Sequence, residues 1–227
     1  MLSVDDLLNL TGVDLRRFLY DNFLSTEQVS WTLTGTGDAV GALDELRIET
    51  GALDGSSAKV WYNSPCFNPQ HSTLMFKAQV DSILSVFAFI GVKSSTADPT
   101  PAMGESHAGF MIETVNNIPC LYVTSGQVCN GAYSQQKIRV PDWDPTKYLI
   151  YRIVKDRFAT RPQAVITSVF DGIEKVEIGR EWTKDVQTGS APCNDQDHYF
   201  MAYISNTVGL NKALRINHVL YAESYAD

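Results

Sequence analysis

The chain has 227 residues, 44% of them hydrophobic and 19% charged, and a formal net charge of −8. That balance supports a large buried core and excludes a disordered chain. An acidic surface with no basic stripe excludes nucleic acid and anionic lipid as partners, and no segment approaches the roughly 20 apolar residues of a membrane helix.

The opening residues, Met1-Leu2-Ser3-Val4-Asp5-Asp6, lack a cationic segment and a long apolar run and do not read as a signal peptide. Ser3 with Asp6 forms a capping pattern before Leu7 and Leu8, and Thr11 with Asp14 repeats it before Leu15, Phe18 and Leu19. Two short helices are expected, with Gly12 at their junction, making residues 1–20 a helical arm. Its apolar side chains, Leu7, Leu8, Leu15, Phe18 and Leu19, need a surface to cover them, either the end of the main domain or a neighbouring subunit in an assembly.

From Phe23 the pattern becomes β, and residues 21–227 read as one domain. Trp31 to Thr34, Leu46 to Thr50 and Ala58 to Tyr62 are short strands, and Leu74, Phe76, Ala78 and Val80 share one face of the next. The run Ile83 to Val92 is apolar almost throughout, which predicts a strand covered on both faces. A loop over 94–106, rich in Thr, Pro, Ser and Gly, precedes strands beginning near His107, Cys120, Gln136, Tyr148, Ala164, Val176, Tyr199 and Ala213. Asp171-Gly172 marks a hairpin. No helical period separates the strands, so two antiparallel sheets are expected.

The four cysteines, Cys66, Cys120, Cys129 and Cys193, fit neither a zinc site nor a dense disulfide framework and read as buried thiols. A Cys120–Cys129 bridge would need a tight hairpin between them, whereas the better turn signal, Asn130-Gly131, lies just beyond Cys129.

Taken in order, Phe18-Leu-Tyr-Asp-Asn-Phe23, Val29 to Gly37, Leu46 to Gly51, Phe76 to Val80, His107 to Glu113, Leu121 to Val123, Tyr148 to Ile153, Val169-Phe-Asp-Gly172, Tyr203 to Asn206 and Leu214 to Val219 resemble a concanavalin-A-like, laminin-G-like jelly roll. The resemblance covers nearly the whole chain after about Phe18 and implies an all-β, two-sheet antiparallel sandwich with the helical arm in front of it. Retaining glucanases of that superfamily carry Glu-x-Asp-x-Glu on one strand, so that nucleophile and acid share a face about 5 to 5.5 Å apart. Here the nearest approach is Glu45, Arg47 and Glu49. An arginine between the two glutamates would hold both ionised, whereas a general acid needs a raised pKa. The chain is therefore expected not to be an enzyme. Lyases of the fold need a histidine or tyrosine base and a cationic groove, but His107, His198 and His218 are scattered among apolar strands and read as structural.

Two loop constellations remain. Trp143, flanked by Asp142 and Asp144, offers an aromatic face for a sugar or a cover for a sheet edge, and Asp195 and Asp197 offer alternate oxygen ligands for calcium, although far fewer than the six to eight it takes. The resemblance implies a non-enzymatic structural or interaction module displayed on a larger assembly such as a virion, as a capsid decoration or tail-associated protein. Its partners would be protein, either itself or the particle, together with a glycan. The alternative is a lectin-like carbohydrate-binding module. A third reading is a polysaccharide hydrolase or lyase with an unrecognised site.

Overall fold

Strands whose side chains alternate between apolar and polar can bury one face and open the other, and the layout of this chain follows from that. The computed structural model describes residues 15–21, 23, 31–42, 45–65, 71–81, 84–129, 132–140, 143–145, 147–158, 161–171, 176–183 and 196–224. In chain order its strands are β1 (Leu15–Asp21), β2 (Trp31–Gly35), β3 (Asp38–Ala42), β4 (Glu45–Glu49), β5 (Ser57–Tyr62), β6 (His71–Val80), β7 (Val86–Lys93) and β8 (His107–Val115). They continue with β9 (Ile118–Cys129), β10 (Ala132–Arg139), β11 (Leu149–Phe158), β12 (Arg161–Asp171), β13 (Val176–Thr183), β14 (Tyr199–Asn206) and β15 (Ala213–Ser224).

Every pairing is antiparallel. One sheet has eight strands, in the order β13-β12-β11-β6-β15-β4-β3 with β1 added on β15; the other has seven, in the order β10-β9-β8-β7-β14-β5-β2. The core lies between them. Val86, Ala88, Ile90 and Val92 of β7, Ala108, Phe110 and Ile112 of β8, and Phe200, Ala202 and Ile204 of β14 face Leu74, Phe76 and Ala78 of β6 and Leu214, Ile216 and Val219 of β15. Phe76 is its hub, stacked on Tyr151 at 5.3 Å and meeting Phe110 and Phe200 at 6.0 and 5.7 Å. Trp31 closes the β2 end of the core against Phe200 and Tyr62. Aromatic pairs at these separations add to the burial of their own area.

The expected two-sheet sandwich is the one observed, and β7 is covered on both sides as its apolar run predicts. The helical arm is corrected in part. Leu15, Phe18 and Leu19 lie on β1, a strand whose residues from Arg17 to Asp21 pair with Glu223 back to Val219 of β15. β4 pairs with β15 only as far as Ile216, leaving the next stretch of that edge with backbone groups to satisfy. A strand supplies those bonds, and a helix of a few residues is too marginal to compete. β1 thus runs across the boundary expected at residue 20; Leu7 and Leu8 lie outside the described residues. Cys120 and Cys129 lie on one strand nine residues apart, about 30 Å at the usual rise, so a bridge between them is ruled out.

Candidate functional site

The outward face of the seven-stranded sheet is partly covered by its own chain. Residues 94–106, which join β7 to β8, fold back across that face as a strap. Its two legs are tied where Ser94 N–H donates to the Ser106 carbonyl. Met103 sits buried with Phe89, Met111 and Met201, packed also by Trp61, Phe87 and Tyr122. Beneath it, Gly91 and Gly109 are cross-strand partners, and the Phe89 ring lies on the flat they leave. A Cβ at Gly109 would come within 2.7 Å of that ring and 2.6 Å of the Ile90 carbonyl oxygen.

Polar bonds pin the strap at both sides. Lys59 of β5 donates to the Thr96 carbonyl and to Asp98, both at 2.5 Å. Fully buried Lys93 donates to Ser95 Oγ at 3.0 Å, the Ala97 carbonyl at 3.1 Å and Glu105 at 2.7 Å. Burial opposes ionisation of Glu105, but the bonds from Lys93 and Ser95 outweigh it and hold the carboxyl below its usual range. Next to it, buried His107 donates from Nδ1 to the Glu105 carbonyl at 2.8 Å and accepts at Nε2 from Thr124 Oγ1 at 2.9 Å. Thr124 Oγ1 accepts in turn from Gln135 Nε2 at 2.9 Å, which leaves its one proton for the imidazole. Burial pushes His107 down to about 4, so it is neutral and structural, as its solitary place on an apolar strand predicts.

At the margin of the strap the face carries half-buried Phe87 and Tyr122, with Tyr203 buried beside them. Phe87 and Tyr203 lie 5.9 Å apart, Glu113 is the cross-strand partner of Phe87, and Lys137 bonds Glu113 at 2.5 Å. The Lys137 ammonium stands 4.5 Å from the Tyr122 ring centroid, and Arg139 is the cross-strand partner of Tyr122. Burial, with Cys120 and Glu113 nearby, raises the Tyr122 pKa, so the hydroxyl stays a donor. The result is an aromatic floor with a carboxylate, an ammonium and a guanidinium set into it. Strand alternation alone puts these groups on one side.

On the eight-stranded sheet, Asp38, Val40, Glu45, Arg47, Glu49 and Arg215 line a cleft of about 270 Å³. Leu46 and Ile48 point inward, so Glu45, Arg47 and Glu49 share the outer face of β4, as the spacing predicts. Arg47 bonds Glu49 at 2.5 Å; Glu45 is held instead by Arg215 at 3.1 Å and by the Tyr148 hydroxyl. Arg215 also bonds Asp81 at 2.7 Å. Burial and the Glu45 carboxylate both raise the Tyr148 pKa, so it remains a neutral donor. Asp38 faces Glu49 across the strand pair and accepts from Ala39 N–H at 2.8 Å.

The loop candidates lie apart from both surfaces. Trp143 packs partly buried against the main core and donates to the Tyr151 hydroxyl at 3.3 Å, the role of a sheet cover. Asp144 is half-buried beside it, and Asp142 lies outside the described residues. Asp197 is exposed and Asp195 undescribed; among the described residues no three His, Cys, Asp or Glu side chains converge on a metal position. The groups that sequence reasoning passed over are Phe87, Glu113, Tyr122, Lys137, Arg139 and Tyr203. A signal is present for Phe87, Glu113, Tyr122 and Tyr203, since each occupies the alternate phase of a strand whose other phase fills the core; Lys137 and Arg139 lie on β10, which sends none of its described side chains into the core.

No family model matches the sequence, and no curated protein matches it. Solved structures do match. Peanut lectin superposes with a TM-score of 0.60 at 11% identity, over 93% of this chain and 99% of its own. The catalytic domain of an endo-1,3-β-glucanase from Thermotoga petrophila gives 0.63 at 11% identity, over 94% and 100%. A structure from work on endo-acting O-glycanases of human gut bacteria gives 0.62 at 17%, over 94% and 100%. The expectation that the chain is not an enzyme is overturned by this set, because glycoside hydrolases share the architecture along their full length as lectins do. A missing Glu-x-Asp-x-Glu strand is therefore no ground for excluding catalysis on this scaffold. The architecture of two packed antiparallel sheets is the concanavalin-A-like jelly-roll fold.

Proposed function

We propose that the protein binds a carbohydrate at the margin of the strap, on the outer face of its seven-stranded sheet. The observation that carries this reading is the pair of half-buried rings, Phe87 and Tyr122, with the Glu113–Lys137 pair set beside them. Aromatic faces suit the C–H side of a sugar ring, and charged groups make the stronger hydrogen bonds that its hydroxyls can exchange. The peanut lectin and glucanase likenesses support the same class of ligand. Display on a larger assembly such as a virion rests on the sequence alone, and these likenesses favour the saccharide reading over it.

The cleft at Glu45 and Glu49 is a poorer candidate, because its lining of Asp38, Val40, Glu45, Arg47, Glu49 and Arg215 offers no aromatic face for a sugar ring. A glycan array followed by calorimetry tests the proposal. Tyr122→Ala and Glu113→Gln should each weaken binding at least tenfold, while Asp38→Asn leaves it unchanged. Binding indifferent to Tyr122→Ala, or an array blank with and without calcium, would refute it. Product analysis on any glycan retained reports whether it is also cut.

A further inference from the structure

Among the described residues nine large apolar side chains are exposed, and six of them, Leu53, Leu84, Val115, Ile118, Val208 and Leu210, gather at one end of the sandwich. The strand register puts them together. Asn206 lies opposite Val86, Ser205 opposite Ser57, Ala213 opposite Glu49 and Leu214 opposite Val80, so the turns around residues 53, 84 and 208 emerge side by side. The β8–β9 turn joins them, since Glu113 is opposite Phe87 and Val115 opposite Ile118.

These turns are held in place. The buried Asn206 amide nitrogen lies 3.0 Å from the carbonyls of both Gly51 and Leu210 and 3.1 Å from Thr50 Oγ1. Thr207 N–H donates to the Ser85 carbonyl at 3.0 Å, and Asn211 Oδ1 accepts from Gly51 N–H at 3.0 Å. The apolar tips are thus presented by a fixed frame, which removes ordering cost from any association they make.

Leu53 is 76% and Leu210 61% exposed. The six side chains leave on the order of 600 Å² of apolar surface, at the top of what a monomer usually shows and near what one partner gives a small interface. The charges there are few: Asp38 and Asp54 are exposed, Asp81 is bonded to Arg215, and Lys212 is buried.

We propose that this end is a self-association surface on which two copies of the chain meet about a two-fold axis. Molecules of net charge −8 repel each other in most orientations. Here they meet apolar to apolar with few like charges opposed, and a two-fold turns the same six side chains onto themselves. An anionic bilayer would find no exposed basic side chain among the described residues of these turns to hold it.

Sedimentation velocity of the full chain over a concentration series is the test. The wild type should pass from monomer to dimer in the micromolar range, more readily as salt is raised. Leu53→Glu/Leu210→Glu and Leu53→Lys/Leu210→Lys should each remain monomeric, and a mixture of the two should regain the dimer, which misfolded variants could not do. A wild type monomeric throughout the series overturns the proposal, as does a dimer that survives both double variants. So does a monomer that binds phosphatidylcholine vesicles through Leu53 and Leu210, which would assign the end to lipid.

Discussion

Exchanging His107 for glutamine should flatten the acid side of the stability profile. The imidazole is buried, accepts the Thr124 hydroxyl at Nε2 and gives its Nδ1 proton to the Glu105 carbonyl; the charged groups nearest it are Lys93 and Glu105. Protonating Nε2 would force the Thr124 hydroxyl to turn from donor to acceptor and place a second cation beside buried Lys93. The folded pKa of about 4 stands below the ordinary 6.5. Above pH 6.5 the ring is neutral folded and unfolded, and its titration contributes nothing. As the pH falls from 6.5 the unfolded chain takes a proton that the native chain refuses, so stability drops until the native ring titrates near 4. The full loss is about 3.4 kcal/mol for a shift of this size, and about 2 kcal/mol of it is spent by pH 5. Urea unfolding at pH 7.5 and pH 5.0 measures it. The wild type should lose about 2 kcal/mol more over that interval than His107→Gln, whose amide can bond both Thr124 and the Glu105 carbonyl without titrating. Equal losses in the two proteins would refute the reasoning.

Other consequences can be checked alongside. Gly109→Ala should cost about 1–3 kcal/mol, because the new Cβ meets the Ile90 carbonyl and the Phe89 ring, and should speed proteolysis within 94–106 as Phe89 and Met103 are displaced. Lys93→Met should cost about 1–3 kcal/mol, since the Glu105 carboxylate it leaves is half-buried and keeps its Ser95 bond, with most of that recovered in Lys93→Met/Glu105→Leu, as thermal or urea unfolding will show. Asn116 and Asn117 join Val115 to Ile118 with φ of 52° and 63°, so Asn117→Ala should cost about 1 kcal/mol while Asn117→Gly costs nothing measurable in the same assay.

The core was legible in the sequence because burial selects alternate residues, and Val86, Ala88, Ile90 and Val92 or Leu214 and Ile216 announce their side directly. The face shared by Glu45, Arg47 and Glu49 was legible for the same reason. The partner that bonds Glu45 was not: Arg215 stands 170 residues away, and only strand register brings it there. β1 was misread because the periodicity of Leu15, Phe18 and Leu19 is local, whereas the vacant edge of β15 that recruits it is built by the other end of the chain. The candidate site was hidden in a different way. Tyr122 and Phe87 sit among apolar neighbours, and composition does not tell which of two apolar phases turns outward until the strap is seen to cover only part of one.

The pairing of β1 with β15 sets Leu15 beside Ser224, so the first and last described strands begin and finish at the same corner. A short polar linker from Ser224 to Leu15 would join these two strands, and new ends could be opened at the Asn116-Asn117 turn without cutting any strand. Joining two strand ends that already pair adds little conformational cost to the folded state, while the unfolded circle has fewer states to lose. A permuted form built on residues 15–224 is therefore a route to a hardier version of this scaffold.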